Sequence, residues 1–479
     1  MPHASAIINV VGLNRSLIGD WSPHLRRFVD QVGQAGQFRL KSDLPAVTCT
    51  VQSSMLTGMH PGGGGDGAGH GIVGNGWYNR QMSEVQFWKQ SNKLVEGEKV
   101  WETAARRDAD VTCLNMFWWF NMYSSANWSV TPRPMYKADG RKIPDCYSNP
   151  PELRDQLQNR FGPFPLFDFW GPGASIKSTQ WIADATIHAH KQFSPTLTLI
   201  YLPHLDYGLQ QLGPDHSQIK GHVRQVDDVV GQLLDYFARQ NVRVMIVSEY
   251  GIDAVDDAVH INRTLREAGL LRVRTEQGLE LLDAGASDAF AAVDHQVAHV
   301  YVTDPGRIDE VAQLCRGLQG VEHVLTRQQQ VDWHIDHARS GELVLISDRR
   351  HWFSYDYWLD DTRAPDFART VDIHRKPGYD PLELFIDPTL CCPKLKIAWR
   401  LFQKKVLGQL AMLDVIPLDT KLVRGSHGRT DLESRMQPLL LADPGVSLAN
   451  IETLETGHEY GPQMHCSSVR DVILAHLFD

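Results

Sequence analysis

The sequence predicts an α/β fold, a mostly parallel central sheet flanked by helices. Three observations carry this. The short, nearly continuous apolar runs "AIINVVGL" (residues 6–13), "TLTLIYL" (196–202) and "VRVMIVS" (242–248) have the pattern of strands buried on both faces. A stretch of helical period precedes the last of them: Val223, Val226, Val229, Val230, Leu233, Leu234 and Phe237 recur on one face. Strand and helix alternate, as a sheet covered on both sides requires.

In such sheets ligands bind beyond the carboxyl ends of the strands. Residues 12–14, 203–206 and 248–251 occupy those ends and are expected to converge.

At 479 residues the chain is too long for one compact core, so insertions are expected. Residues 1–111, 173–261 and 401–479 read as the core. The aromatic-rich stretch 112–172, with "FWWFNMYSSANWSVTPRPMY", reads as a cap or lid, in which Trp118, Trp119, Tyr123 and Trp128 wall a pocket or pack the cap itself. Residues 262–400 alternate helix and strand again and predict a small inserted α/β subdomain. The Gly-rich "HPGGGGDGAGHG" (60–71) lacks the Gly-Lys-Ser/Thr of a P-loop and reads as a surface loop. "CCPKLKIAWRLFQKKVLG" (391–408) reads as a basic, solvated surface helix.

The net charge of −10 excludes a general nucleic-acid binder and leaves a small anionic substrate. Seven cysteines, odd in number and without C-x-x-C spacing, argue against a disulfide framework. The N-terminal run reads as a strand rather than a signal peptide, and no run of 18 apolar residues occurs. A cytoplasmic protein without a transmembrane segment is expected; the oligomeric state stays open.

The polar residues at the strand ends suggest phosphoryl chemistry. That chemistry needs a nucleophile, cations to offset the charge on the transferring group, and donors aimed at its equatorial oxygens. Thr48 stands at the start of an expected helix, where N–H groups favour an anion. Asn75, in "HGIVGNGWY", carries an amide that could donate to a phosphoryl oxygen. Asp206 follows one strand, Glu249 and Tyr250 another, and His427 lies in the glycine-flanked "GSHG" loop.

These blocks, "PAVTCTVQSSMLTG…HGIVGNGWY", the segment from Asp206, "SEYGI" and "GSHG", together resemble the alkaline phosphatase superfamily, in its nucleotide pyrophosphatase/phosphodiesterase and phosphonoacetate hydrolase branch. The resemblance runs from Ile7 to about Leu441. It implies an alkaline-phosphatase-like core, two metal ions, usually zinc, and a threonine nucleophile. The nucleophile's place ten residues before the glycine of "LTG" selects Thr48 over Thr50. Asn75, Asp206 and His427 match further functional positions.

The departures concern the metal ligands. The family's first-strand aspartate is Val11 here, its histidine four residues after the aspartate is Gln210, and its Asp-His pair is Glu249-Tyr250. Valine cannot ligate and a neutral amide is a weak ligand, so a standard di-zinc centre is not expected. A single divalent ion (zinc, manganese or magnesium) on Asp206 and His427, with Gln210 or Glu249, stays open. Other polar residues that could fill the gaps are His204, Asp294, His295, His299, Asp372, His374 and Asp380, with Arg375 and Lys376 as replacement cations.

The functional expectation is a hydrolase of phosphodiester, phosphomonoester or phosphonate substrates with Thr48 as nucleophile. The alternative is a pseudoenzyme that binds an anionic metabolite or a partner protein in the same cleft. A third reading gives Glu249 and Tyr250 acid–base work on a non-phosphate substrate.

Overall fold

The structure, a computed structural model, describes every residue except 1, 66–67, 139–140, 406–411, 444, 447, 449–450 and 457. Parts of the Gly-rich stretch and of the basic segment therefore lie outside the described residues. The central sheet has nine strands, in the spatial order Gln463–His465, Gln37–Lys41, Leu439–Leu441, Arg243–Val247, Ser5–Val10, Leu197–Leu202, Cys113–Met116, Trp128–Pro132 and Cys146–Asn149. The three apolar runs form its centre. Ile8 pairs in parallel with Ile200 on one side and Ile246 on the other. Their side chains are buried because helices cover the sheet. The amphipathic helix Ile219–Arg239 packs on Ile176–Phe193 and Pro23–Val32, burying Val223, Val226, Val230, Leu233 and Phe237. Pairing is mostly parallel, with antiparallel contacts at Leu439–Leu441 and at the Cys146–Asn149 edge.

The expected cap is not a separate lid. Residues 112–172 supply three strands to one edge of the sheet, Cys113–Met116, Trp128–Pro132 and Cys146–Asn149. Phe117, Trp118 and Phe164 are buried in the main core with Trp181, and Trp128 stacks on Phe193, whereas Trp119 and Phe120 are buried in a separate cluster with Ile72, Val73 and Trp77. The Trp118 indole donates to the carbonyl of Ile200. Tyr123 is exposed. A dense aromatic stretch fits the filling of a sheet edge as well as a pocket wall, and here the edge takes it.

A second, four-stranded antiparallel sheet orders Ala289–Asp294, Val297–Val302, Leu343–Ser347 and Val321–Thr326. It has its own core, which includes Phe290, Val300, Leu345, Tyr357 and Trp358. The hairpin turn at His295 and Gln296 reaches the main domain, where the Gln296 N–H donates to the carbonyl of His427 at 2.9 Å. The helix Pro393–Lys405 leaves Leu395, Trp399 and Phe402 exposed. No helix among the described residues is long and apolar enough to cross a membrane.

Candidate active site

The strand ends converge as expected. The strand Ser5–Val10 leads into Val11 and Gly12, whose φ of +76° turns the chain away. The helix Thr48–Thr57 begins at Thr48 and ends at Gly58, where φ is +72° and a side chain would be strained. Asp206 lies in the first turn of the helix His204–Leu212, with Gln210 one turn later on the same face.

The Thr48 hydroxyl lies 3.2 Å from the Tyr250 hydroxyl, which donates to Asp206 Oδ1 at 3.3 Å. The other carboxylate oxygen of Asp206 accepts from the Gln210 amide at 2.7 Å. All four side chains are buried. Burial pushes the Asp206 carboxyl up to about 7, while the Gln210 and Tyr250 hydrogen bonds pull it back. Asp206 is therefore partly protonated at neutral pH.

Glu249 lies beside Thr48 and is held from its other side by two amides. Its Oε1 accepts from Asn9 Nδ2 at 2.5 Å and from Gln52 Nε2 at 2.6 Å. Gln52 is aimed by the backbone N–H of Trp119, which donates to its Oε1. Glu249 Oε2 is buried and has no hydrogen bond. Burial raises this carboxyl to about 8, so it is mostly protonated at neutral pH.

Asn75 holds the start of the helix Thr48–Thr57. Its Oδ1 accepts from the Cys49 N–H at 3.0 Å, and its Nδ2 donates to Asp294 Oδ1 at 3.0 Å. Asp294 also accepts from the Asn75 backbone, and burial raises its carboxyl to about 7. The sequence had offered Asp294 only as one of several spare acids.

Two rings that the sequence did not place at the centre complete the site. Tyr379, His295, His427 and Tyr250 form one continuous stack, with successive centroids 3.7, 3.6 and 3.6 Å apart. His295 holds a φ of +60°, rare for a residue with a side chain, in the hairpin turn that delivers it. His427 Nδ1 lies 2.7 Å from the carbonyl oxygen of Ala46, which can only accept. The proton is therefore on Nδ1, and Nε2 presents its lone pair 3.8 Å from Asp206 Oδ1. Burial pushes His427 down to about 3 and His295 well below its usual value, so both are neutral.

This donor set does not fit a two-ion centre. Val11 offers no ligand, and the phenol of Tyr250 is stacked and already shared between Thr48 and Asp206. The single-ion set is not assembled either. Gln210 gives its amide hydrogens to Asp206 and its carbonyl to the Tyr379 hydroxyl at 2.8 Å. Among the described residues, Asp206, His427 and Glu249 do not bring their ligand atoms within 4.8 Å of one another. Asp206 and His427 remain as one facing pair of conventional donors.

The replacement cations are spent elsewhere. Lys376 is buried between Asp380 and Glu383, at 2.7 and 2.8 Å, and Arg375 pairs with Asp366 and Asp372 at the surface. It is Tyr379 from that segment that reaches the site. His374 meets the carbonyl of Phe87, His299 that of Val73, and His204 bonds Gln225.

The cleft thus sets a threonine at a helix N-terminus, faced by carboxyl, phenol and imidazole groups, at the strand ends of a mostly parallel α/β sheet. The sequence model of the type I phosphodiesterase/nucleotide pyrophosphatase family matches residues 5–380, and the chain belongs to that family. No curated protein sequence matches it. Among solved structures it is similar to an inactive form of murine ectonucleotide pyrophosphatase/phosphodiesterase 5 in complex with AMP, at 13% identity and a TM-score of 0.57, over 99% of this chain and 95% of that one. It is also similar to phosphonoacetate hydrolase from Sinorhizobium meliloti 1021 in complex with phosphonoformate, at 13% identity and a TM-score of 0.59, over 99% and 96%.

Proposed function

We propose that this chain cleaves a small phosphodiester, phosphomonoester or phosphonate with Thr48 as nucleophile. The observation that carries the reading is the chain of contacts from Thr48 through Tyr250 to Asp206. As Thr48 Oγ1 attacks phosphorus, its proton passes to the Tyr250 oxygen, and the Tyr250 proton passes to Asp206. The bond from phosphorus to the leaving atom, oxygen in an ester and carbon in a phosphonate, breaks on the side opposite Thr48, and the departing group takes its proton from solvent. Water then attacks the phosphorus of phosphorylated Thr48 and loses a proton to solvent, the Thr48–phosphorus bond breaks, and the proton held by Asp206 returns through Tyr250 to restore the hydroxyl. The N-terminus of the helix Thr48–Thr57 faces the developing negative charge. Family membership and the AMP and phosphonoformate bound by the two similar structures support this substrate class. No step here passes through a metal ion, because the residues present do not assemble the family's ligand set.

The test is a screen of phosphodiesters, phosphomonoesters and phosphonates, with phosphate added to Thr48 followed by mass spectrometry. Turnover lost in Thr48→Ala, with phosphate found on Thr48 of the wild type, is the expected result. Turnover unchanged in Thr48→Ala would reject the mechanism. A second reading has one observation behind it: Tyr250, which stands where the family pattern has an imidazole, is held in the four-ring stack with its hydroxyl shared between Thr48 and Asp206. On that reading the cleft binds a small anion without turnover. Saturable binding of AMP or phosphonoformate with no product and no phosphorylated threonine would favour it.

A further inference from the structure

We propose that Asp43, His60 and His465 form a mononuclear zinc site, separate from the Thr48 cleft, that clamps the nucleophile's helix to the last strand of the sheet. The three donors come from distant parts of the chain. Asp43 follows the strand Gln37–Lys41, His60 follows the helix Thr48–Thr57, and His465 ends the strand Gln463–His465. The two strands are parallel neighbours and Lys41 faces His465, so register alone brings Asp43 and His465 together.

Asp43 and His60 are hydrogen-bonded to one another, a contact that a shared zinc ion would replace. Asp43 Oδ1 lies 2.7 Å from His60 Nδ1 and 3.5 Å from His465 Nε2. The three ligand atoms all fall within 4.8 Å of one another. Ligands about 2.1 Å from a tetrahedral zinc stand about 3.4 Å apart, so sub-ångström side-chain shifts suffice. Two imidazoles and one carboxylate suit zinc better than calcium or magnesium, which seek a shell of oxygens.

The surroundings support ligation. The Ser467 hydroxyl lies 2.9 Å from His465 Nδ1, where it can accept that nitrogen's proton and free Nε2 for the metal. The Ser467 backbone N–H also approaches Nδ1, at 3.3 Å, and is the contact that the metal-bound tautomer gives up. The Cys466 thiol contacts Asp43 Oδ2 at 3.6 Å, which leaves Oδ1 for the ion. The Asp43 side chain is 3% exposed, His465 18% and His60 33%, so the cluster is anchored below and open on the His60 side. Three protein donors with one open side leave a fourth position for water. His334 stacks flat on His60, centroids 4.3 Å apart, and covers that ring without pointing a nitrogen at the cluster's centre.

The site does not depend on the function proposed for Thr48, and its test is separate. Full-length protein, stripped with chelator, is titrated with zinc by calorimetry and, in parallel, with cobalt(II) followed by visible absorption. The wild type should bind at a site that gives a tetrahedral cobalt spectrum, and zinc should raise its melting temperature. His60→Gln and His465→Gln should each lose that equivalent while keeping the wild-type circular dichroism. Ser467→Ala should weaken zinc about tenfold, as loss of an outer hydrogen-bond partner does. His427→Ala should keep the equivalent. The proposal fails if the wild type binds no zinc, if the equivalent survives in the His60→Gln/His465→Gln double variant, or if His427→Ala alone removes it.

Discussion

Tyr250 lies flat on His427, with ring centroids 3.6 Å apart and planes 7° from parallel. The stack fixes the phenol so that its hydroxyl stands between Thr48 and Asp206. Where the family pattern implies an imidazole metal ligand, this chain holds a group that can relay a proton but is stacked where a ligand would have to turn.

Tyr250→Phe separates these two roles. The ring and its stacking remain, and the hydroxyl bridge is lost. Loss of a positioned proton carrier costs about 100-fold or more in rate. The expected outcome is a kcat/KM lowered by about that factor on whichever phosphoester or phosphonate the wild type turns over, with an unchanged melting temperature. Equal kcat/KM in the two proteins would remove Tyr250 from the mechanism.

Glu249 gives a stability prediction with a defined sign. Its carboxyl is held at about 8 in the fold, against about 4.3 for a free side chain. Between those values the folded state binds the extra proton. The stability from this group is complete below about pH 4 and is lost as pH rises through 8. Glu249→Gln can still accept from Asn9 and Gln52 but cannot ionise. Melting temperatures of the two proteins should therefore diverge from pH 5 to pH 8, the variant gaining on the wild type. Asp206 and Asp294, raised to about 7 by burial, leave a residual slope in the variant. Parallel curves would show that Glu249 does not ionise over this range.

The buried Lys376 predicts the largest loss of stability. It neutralises Asp380 and Glu383, and the Trp170 indole adds a hydrogen bond to Glu383. Removing one member of such a buried set strands charge in the interior, at a cost of about 3–5 kcal/mol. Lys376→Met should lower the unfolding free energy by that amount in a denaturant titration at pH 8. A change below about 1 kcal/mol would mean that the acids find other partners.

What the sequence disclosed follows from how local each feature is. The three central strands were legible because burial on both faces writes an apolar run into each of them, and Ile8, Ile200 and Ile246 lie side by side as a result. Thr48, Asp206, Tyr250 and His427 were legible because each sits at a strand end or turn with a short motif around it. His295 stood out only as one of several spare histidines, and Tyr379 was not legible. They reach the site from another sheet's hairpin and from a loop, and no periodicity encodes that approach. The aromatic stretch misled because Trp118 and Phe164 look alike in sequence whether they line a lid or fill a sheet edge. Lys376 misled because Asp380, four residues on, could be read equally well as a ligand, and nothing in the sequence marked Glu383 as its second partner.

Gln210 offers the most direct test of why the family's ligand set fails here. Asp206 and residue 210 share one helical face, and His427 Nε2 already points at Asp206. Only a third conventional donor is missing from that side of the cleft. Gln210 cannot supply it, since its nitrogen donates to Asp206 and its carbonyl accepts from Tyr379. Gln210→His replaces the amide with an imidazole that can ligate or accept from the same phenol. The variant should bind one more equivalent of zinc than the wild type after stripping and reconstitution, and His427→Ala in that background should remove it. It should not bind two more, because Val11 and Tyr250 still leave the Thr48 side without ligands. Elemental analysis distinguishes these outcomes. A variant with no more zinc than the wild type would show that the ring stack, rather than the missing imidazole, keeps an ion out of the cleft.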